Sequence, residues 1–461
     1  MAGLTKRKIT AVFAFFMATL TVAATIGGCL TVYAINRAGT DYIVKYKECA
    51  VWMQEDRSVP FDVVSEAEMK RLDQAGLLEW YEPDGEMILL DEPAIPMYPD
   101  DKWDFELISA DVAFENNYLG QNVRIGVIDS GINPHKDIAA RLIKGQSYIE
   151  NSNANDTADT YGHGTHVAGL IAGSGENGYI GAAPEAELVP LKVTDGKGVS
   201  TSTVCKAIYG GIKNYHCDIL NLSLGIYDDE KALKEAVEYA EECGVVVVSA
   251  VGNSGSKAKL YPAAYSSVIG VGAVDSEGVW FYHSNHNDSV FITAPGVNVY
   301  TIGKYGGYEL KSGASFSVPL VTAAAAVMLS IDNTLTPQDI MTVLAGTALD
   351  KGDAGYDEYY GAGILDIGGC VGYLTRLPCR FLPASGAASQ IQNTASEDIN
   401  CTYFLTEYGE NGALKNVVTY EVLIPAKGIA EVETPQENTN YGQFVWMPNS
   451  LKPLANARKS H

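Results

Sequence analysis

Between residues 122 and 274 one texture recurs five times, and that recurrence restricts the fold more than any other feature of the chain. The runs NVRIGVID (122–129), ELVPLKV (187–193), DILNLSLG (218–225), GVVVVSAVGN (244–253) and SVIGVGAV (267–274) are short, β-branched and nearly all apolar. Runs of this kind are strands covered on both faces, which pair in parallel. Between them HGTHVAGLIAGS, TSTVCKAIYGGIKNY and EKALKEAVEYAEECG read as helices with a Gly or Asn stop nearby. The expected fold is α/β, a doubly wound, mostly parallel sheet with its chemistry at the carboxyl ends of strands.

A further stretch, KSGASFSVPLVTAAAAVMLS (311–330), sets Ser315 on a small-residue turn that runs into an alanine-rich apolar segment. That segment reads as a buried helix with Pro319 in its first turn. A hydroxyl at a helix N-terminus lies where developing negative charge is stabilised. Serine attacks only when a base takes its proton and a third group orients the base. Asp129 closes the first strand in VIDSGI, His163 opens a helix in GHGTHVAG, and Asn253 closes a strand in SAVGNSG. Singly Asp129 is a turn or cap aspartate, Asn253 a turn asparagine and Ser315 a helix-capping serine, and the pair His163 and His166 could suggest a metal site. His163 and His166 lack the glutamate of a zinc-binding HExxH helix, and His166 reads as structural.

Taken together and in this order, the four motifs resemble the subtilisin-like serine peptidases over roughly residues 98–372. The resemblance implies a triad of Asp129, His163 and Ser315, with the Asn253 amide and the Ser315 N–H binding the oxyanion. It implies that Ser223-Leu224-Gly225 and Gly196-Lys197-Gly198 flank an extended peptide substrate, with Gly225 and Gly252 leaving room for its backbone. Tyr261-Pro262 matches a family turn that suits a cis bond. Ser254 supplies no acidic wall, so an apolar or broad preference before the cut is expected. The chain departs from the family at Ala314, where Thr is usual, and at Phe316-Ser317, where Met-Ala is common. The chemistry requires no cofactor; structural calcium is admissible, with Asp137 a candidate ligand, although the loop 174–178 is shorter than the family's calcium loop.

The 461 residues allow several units. Residues 1–35 carry Lys6, Arg7 and Lys8 before an uncharged run, an export segment with three open forms. It is a signal peptide cut near Val32-Tyr33-Ala34, a membrane anchor, or a lipoprotein signal around Cys29. Residues 36–97 read as a small α+β pro-peptide-like segment: a strand at 41–48, a helix capped by Ser65, and a hairpin 78–93 turning at Pro83-Asp84-Gly85. Residues 373–461 read as a β-sandwich module contacting a cell surface or a protein partner. A net charge of −24 argues against nucleic acid as partner and suits an extracellular or cell-surface protein. Cys217 and Cys243 precede neighbouring strands and are the candidate disulfide pair, although buried thiols explain the eight cysteines equally well. The whole reads as an exported serine endopeptidase made as a self-processing zymogen; the rival is a surface-binding protein on an inactive scaffold of the same kind.

Overall fold

The computed structural model describes residues 41–89, 102–175 and 179–375, less 48–49, 52–53 and 55–57. Beyond these it describes 379–381, 388–393, 398–408, 414–433, 441–446 and 458–459. The export segment lies outside the described residues.

Seven parallel strands form the central sheet. From one edge they run Ile292–Pro295, Val268–Val274, Val246–Ala250, Ile219–Leu222, Arg124–Asp129, Glu187–Lys192 and Gln146–Ser147. The strand order reverses direction on either side of Arg124–Asp129, which opens the crevice that such sheets use. Val268–Val274 is buried at every residue, as its unbroken apolar run requires. One face is covered by the helices His163–Ala172 and Ala314–Ile331, the other by Thr201–Lys213 and Lys231–Glu242. Ala314–Ile331 is long and apolar enough to cross a bilayer, yet 89% of it is buried in protein, so it is the core helix of this body.

Pro319 stands in the second turn of that helix, not the first, because the helix begins at Ala314. Proline has no N–H, so the Ser315 carbonyl four residues back loses its helical donor. The hydroxyl of Ser223 donates to it instead, at 2.9 Å.

Residues 41–89 form an antiparallel sheet ordered Asp62–Ser65, Asp41–Tyr46, Leu78–Pro83, with the helix Glu66–Gln74 packed on it. Among the described residues the expected hairpin does not form: Glu86–Leu89 does not pair with Leu78–Pro83. After Pro83 the carboxylate of Asp84 is drawn to the N–H and hydroxyl of Ser202, at 2.9 and 2.6 Å, and the chain follows it onto the large domain. There Glu86–Leu89 pairs antiparallel with Leu224–Gly225 on one side and Val199–Ser200 on the other.

The C-terminal part forms two antiparallel sheets. One is ordered Cys379–Phe381, Ala388–Asn393, Ile429–Glu433; the other Leu414–Ile424, Ile399–Tyr408, Tyr441–Trp446, Arg458–Lys459. They share a small core of Ile391, Cys401, Tyr403, Leu405, Ile424 and Val432. Cys217 is buried and Cys243 exposed, and both are free thiols, so the suggested pairing does not form.

Candidate active site

Asp129 is the last residue of a central strand and is fully buried. His163 is the first residue of its helix, reached through Gly162 at φ 114°, a conformation that favours glycine. The His163 ring nitrogen Nδ1 lies 2.9 Å from both Asp129 carboxylate oxygens, and the Ser130 N–H donates to Asp129 Oδ1 at 2.7 Å. Bound this way, Nδ1 carries the proton and Nε2 is left as the basic nitrogen.

Ser315 lies in the first turn of the buried helix, and its neighbour Phe316 packs on the imidazole, with ring centroids 5.3 Å apart. The Ser315 hydroxyl donates to the Ser223 carbonyl at 3.3 Å while Ser223 Oγ holds the Ser315 carbonyl, a two-way clasp. Ser223 is positioned in turn by Asn221, whose Nδ2 reaches its hydroxyl at 3.3 Å and whose Oδ1 accepts from Thr322 at 2.9 Å.

Asn253 Oδ1 accepts the N–H of Ala314 at 2.9 Å. That contact fixes the amide plane, and the Nδ2 group is buried with no hydrogen-bond partner among the described residues. A buried amide left without an acceptor is poised to donate to a charge that arrives later. The departures at Ala314 and Phe316 leave this frame intact, since Ala314 contributes its backbone and Phe316 its ring face.

Asp159 was not singled out from the sequence. Its carboxylate accepts from Ser130 Oγ at 2.8 Å, the N–H groups of Tyr161, Gly162 and Thr165 at 3.1, 2.6 and 2.9 Å, and Thr165 Oγ1 at 2.6 Å. It caps the turn that delivers His163. The only signal was an Asp a few residues ahead of a Gly-His helix start. His166 is 5% exposed, and burial pushes its pKa down to about 2. It is therefore neutral, and its 3.4 Å approach to Glu309 is not an ion pair.

Leu224 and Gly225, which follow Ser223, pair antiparallel with Leu89 and Ile88. Gly225 packs against Leu260 and the Tyr261 carbonyl with no room for a Cβ, and Gly252 holds φ 111° against Asn285. The Tyr261-Pro262 bond is cis. On the opposite edge the pairing falls to Val199 and Ser200, just past Gly196, Lys197 and Gly198. Gly198 touches Glu86, Gly196 lies on the Tyr161 ring, and Lys197 turns its carbonyl to Thr194. Asp137 is engaged by the Tyr308 hydroxyl at 2.9 Å and faces His135 Nδ1 at 3.4 Å. A phenol and an imidazole do not suit calcium, which takes several oxygen ligands. No group of three or more His, Cys, Asp or Glu side chains that could hold a metal gathers among the described residues.

The sequence model of the subtilase family matches residues 120–363. Subtilisin DY of Bacillus licheniformis is 38% identical over 268 residues, covering 57% of this chain and 95% of that protein. Subtilisin E of Bacillus subtilis strain 168 is 37% identical over 56% of this chain and 68% of its own length. The minor extracellular protease Epr of the same strain is 37% identical over 58% of this chain, a span that covers 41% of that protein.

Proposed function

The chain belongs to the subtilase family of serine endopeptidases, and from that premise we propose that Ser315, His163 and Asp129 are its triad and that it is made as a zymogen. The observation that carries the first part is His163 Nδ1 held between both oxygens of buried Asp129, beside the helix that Ser315 heads. Ser315 Oγ attacks the scissile carbonyl carbon and its proton passes to His163 Nε2, while Asp129 stabilises the imidazolium. The oxyanion accepts from Asn253 Nδ2 and the Ser315 N–H. His163 then protonates the leaving amine, and water repeats the sequence on the acyl-enzyme. Peptide and protein chains are the substrates, and no cofactor takes part.

Strand Glu86–Leu89 supports the second part, because it fills a slot between two edges next to Ser315, as an extended substrate would. Its register sets Leu89 against Leu224, the neighbour of Ser223, whose carbonyl accepts from Ser315 Oγ. Leu90 lies outside the described residues; the expected first cut follows it, an apolar side chain. Export fits the basic-then-apolar start of the sequence, and the relative Epr is extracellular by name. The two antiparallel C-terminal sheets support a sandwich module that contacts a surface or protein partner.

The test compares the full-length chain with its Ser315→Ala variant. The parent is expected to hydrolyse peptides, label covalently with a serine-directed phosphonylating reagent, and yield a product beginning at Asp91. The variant is expected to stay whole and inert. Undiminished hydrolysis by the variant would refute the triad, and an active parent that is never cut would refute the zymogen.

A further inference from the structure

Where the 78–89 segment meets the catalytic body, three carboxylates converge. Glu82 accepts the N–H groups of Lys231 and Ala232, at 2.8 and 2.7 Å, and so caps the helix Lys231–Glu242. Asp84 takes the N–H and hydroxyl of Ser202 in the first turn of Thr201–Lys213. Between them stands Glu230 of the catalytic body, 8% exposed, its carboxyl pressed on Gly85 so closely that no Cβ would fit there. Gly85 is itself tied down, its carbonyl accepting the Thr201 N–H at 2.9 Å.

The two pro-segment carboxylates have helix N-termini to answer them. Glu230 stands at the N-cap of Lys231–Glu242 but makes no side-chain cap bond there, and its Oε2 finds no hydrogen-bond partner among the described residues. Asp228 adds a third neighbouring negative charge, and the Thr201 hydroxyl and the Cys205 thiol are neutral. The cations at the joint are Lys231, beside Glu82, and Lys206, beside Asp84. The Tyr265 hydroxyl is spent on Asp229 and on the Glu230 carbonyl.

We propose that this joint is proton-linked: the pro-segment closes over a protonated Glu230 in acid, and its grip loosens as the pH rises to neutrality. The proposal rests on the zymogen reading, for which it supplies a release signal. Burial first pushes the Glu230 carboxyl up from 4.5 to about 7 in the closed state; the Thr201 hydroxyl offsets part of that, and the charges of Glu82, Asp84 and Asp228 each add a smaller rise. A carboxyl raised on docking means that the docked state holds the extra proton. Docking is therefore strongest below the undocked value and weakens about tenfold per pH unit until the docked value is passed. With the undocked group at its ordinary value the Glu230 share is at most about 300-fold, and Glu82 and Asp84, whose carboxyls burial also raises, add to the same slope.

Amide hydrogen exchange on the full-length Ser315→Ala chain tests this without catalysis. Protection of residues 86–89, which pair with the catalytic body, normalised to the free-peptide rate at each pH, is expected to fall about tenfold per unit or more between pH 5 and 7 and then level off. Protection of the Arg124–Asp129 strand is expected to stay constant. Adding Glu230→Gln should remove most of that fall at residues 86–89 and leave only the share of Glu82 and Asp84. A flat profile without that change, or an undiminished slope with it, would overturn the proposal. Should Glu230→Gln unfold the core strand, Asp84→Asn decides, because removing one crowding charge must move the window to lower pH, and an unmoved window counts against the joint. Self-cleavage of the unsubstituted chain, followed in parallel, judges the zymogen reading separately.

Discussion

Replacing Ser223 by alanine removes the hydroxyl that donates to the Ser315 carbonyl in place of its lost helical partner. Both residues are fully buried, so water cannot substitute. An unsatisfied buried carbonyl costs about 1–3 kcal/mol, and the long bond from Asn221 adds under about 1. At about 2–4 °C per kcal/mol for a domain of some two hundred residues, the melting temperature should fall by several degrees. The origin of that loss is checked by a second change. Pro319→Ala restores an N–H four residues after Ser315, which gives the carbonyl a donor inside its own helix. In that background Ser223→Ala should lose no more than about 1 kcal/mol, a coupling of about 1–2 kcal/mol between two residues distant in the chain. The assay is thermal unfolding by circular dichroism, with Ser315→Ala in all four chains to prevent self-digestion. Equal losses with and without the Pro319→Ala change, to within about 0.5 kcal/mol, would refute the clasp.

Asn253→Ala should lower kcat by about 10²–10³ with KM little changed, a magnitude taken from subtilisin itself rather than worked out from these distances; steady-state kinetics on a small peptide checks it, and a change confined to KM would contradict an oxyanion role. Asp104 is 4% exposed and burial pushes its pKa up to about 7, so the folded chain holds a proton that the unfolded chain releases above its ordinary 3.8. Its penalty grows as the pH rises through that window. Asp104→Asn should therefore raise the melting temperature at pH 8 and leave it nearly unchanged at pH 4; equal shifts at both would show another cause.

The central strands were legible because two-sided burial leaves an unbroken apolar run that no surface strand shows. Asp129, His163, Asn253 and Ser315 were legible as a set, each at a strand end or a helix start. What escaped the sequence depends on contacts between distant segments. Pro83-Asp84-Gly85 is a sound hairpin turn locally, and only the helix N-terminus at Ser202, 118 residues on, pulls the following strand away. Asp159 looked like any loop aspartate until five donors closed around it. Val199 and Ser200 extend that edge just past Gly196, Lys197 and Gly198 and pair with Glu86 and Met87, a partner that only the tertiary structure brings there. Pro319 fell in the second turn because the helix starts earlier than its alanine run.

The slot between Leu224–Gly225 and Val199–Ser200 is one strand wide, with backbone on both sides. Strands lie about 4.8 Å apart, so the two walls stand roughly 10 Å from each other, less than a helix with its side chains or a tight hairpin needs. On the proposed reading of this slot as the substrate site, whatever is cut there must first straighten several residues and surrender their local hydrogen bonds to the walls. The rate at which a folded target is degraded will then follow how often its loops fray, more than which residues those loops contain.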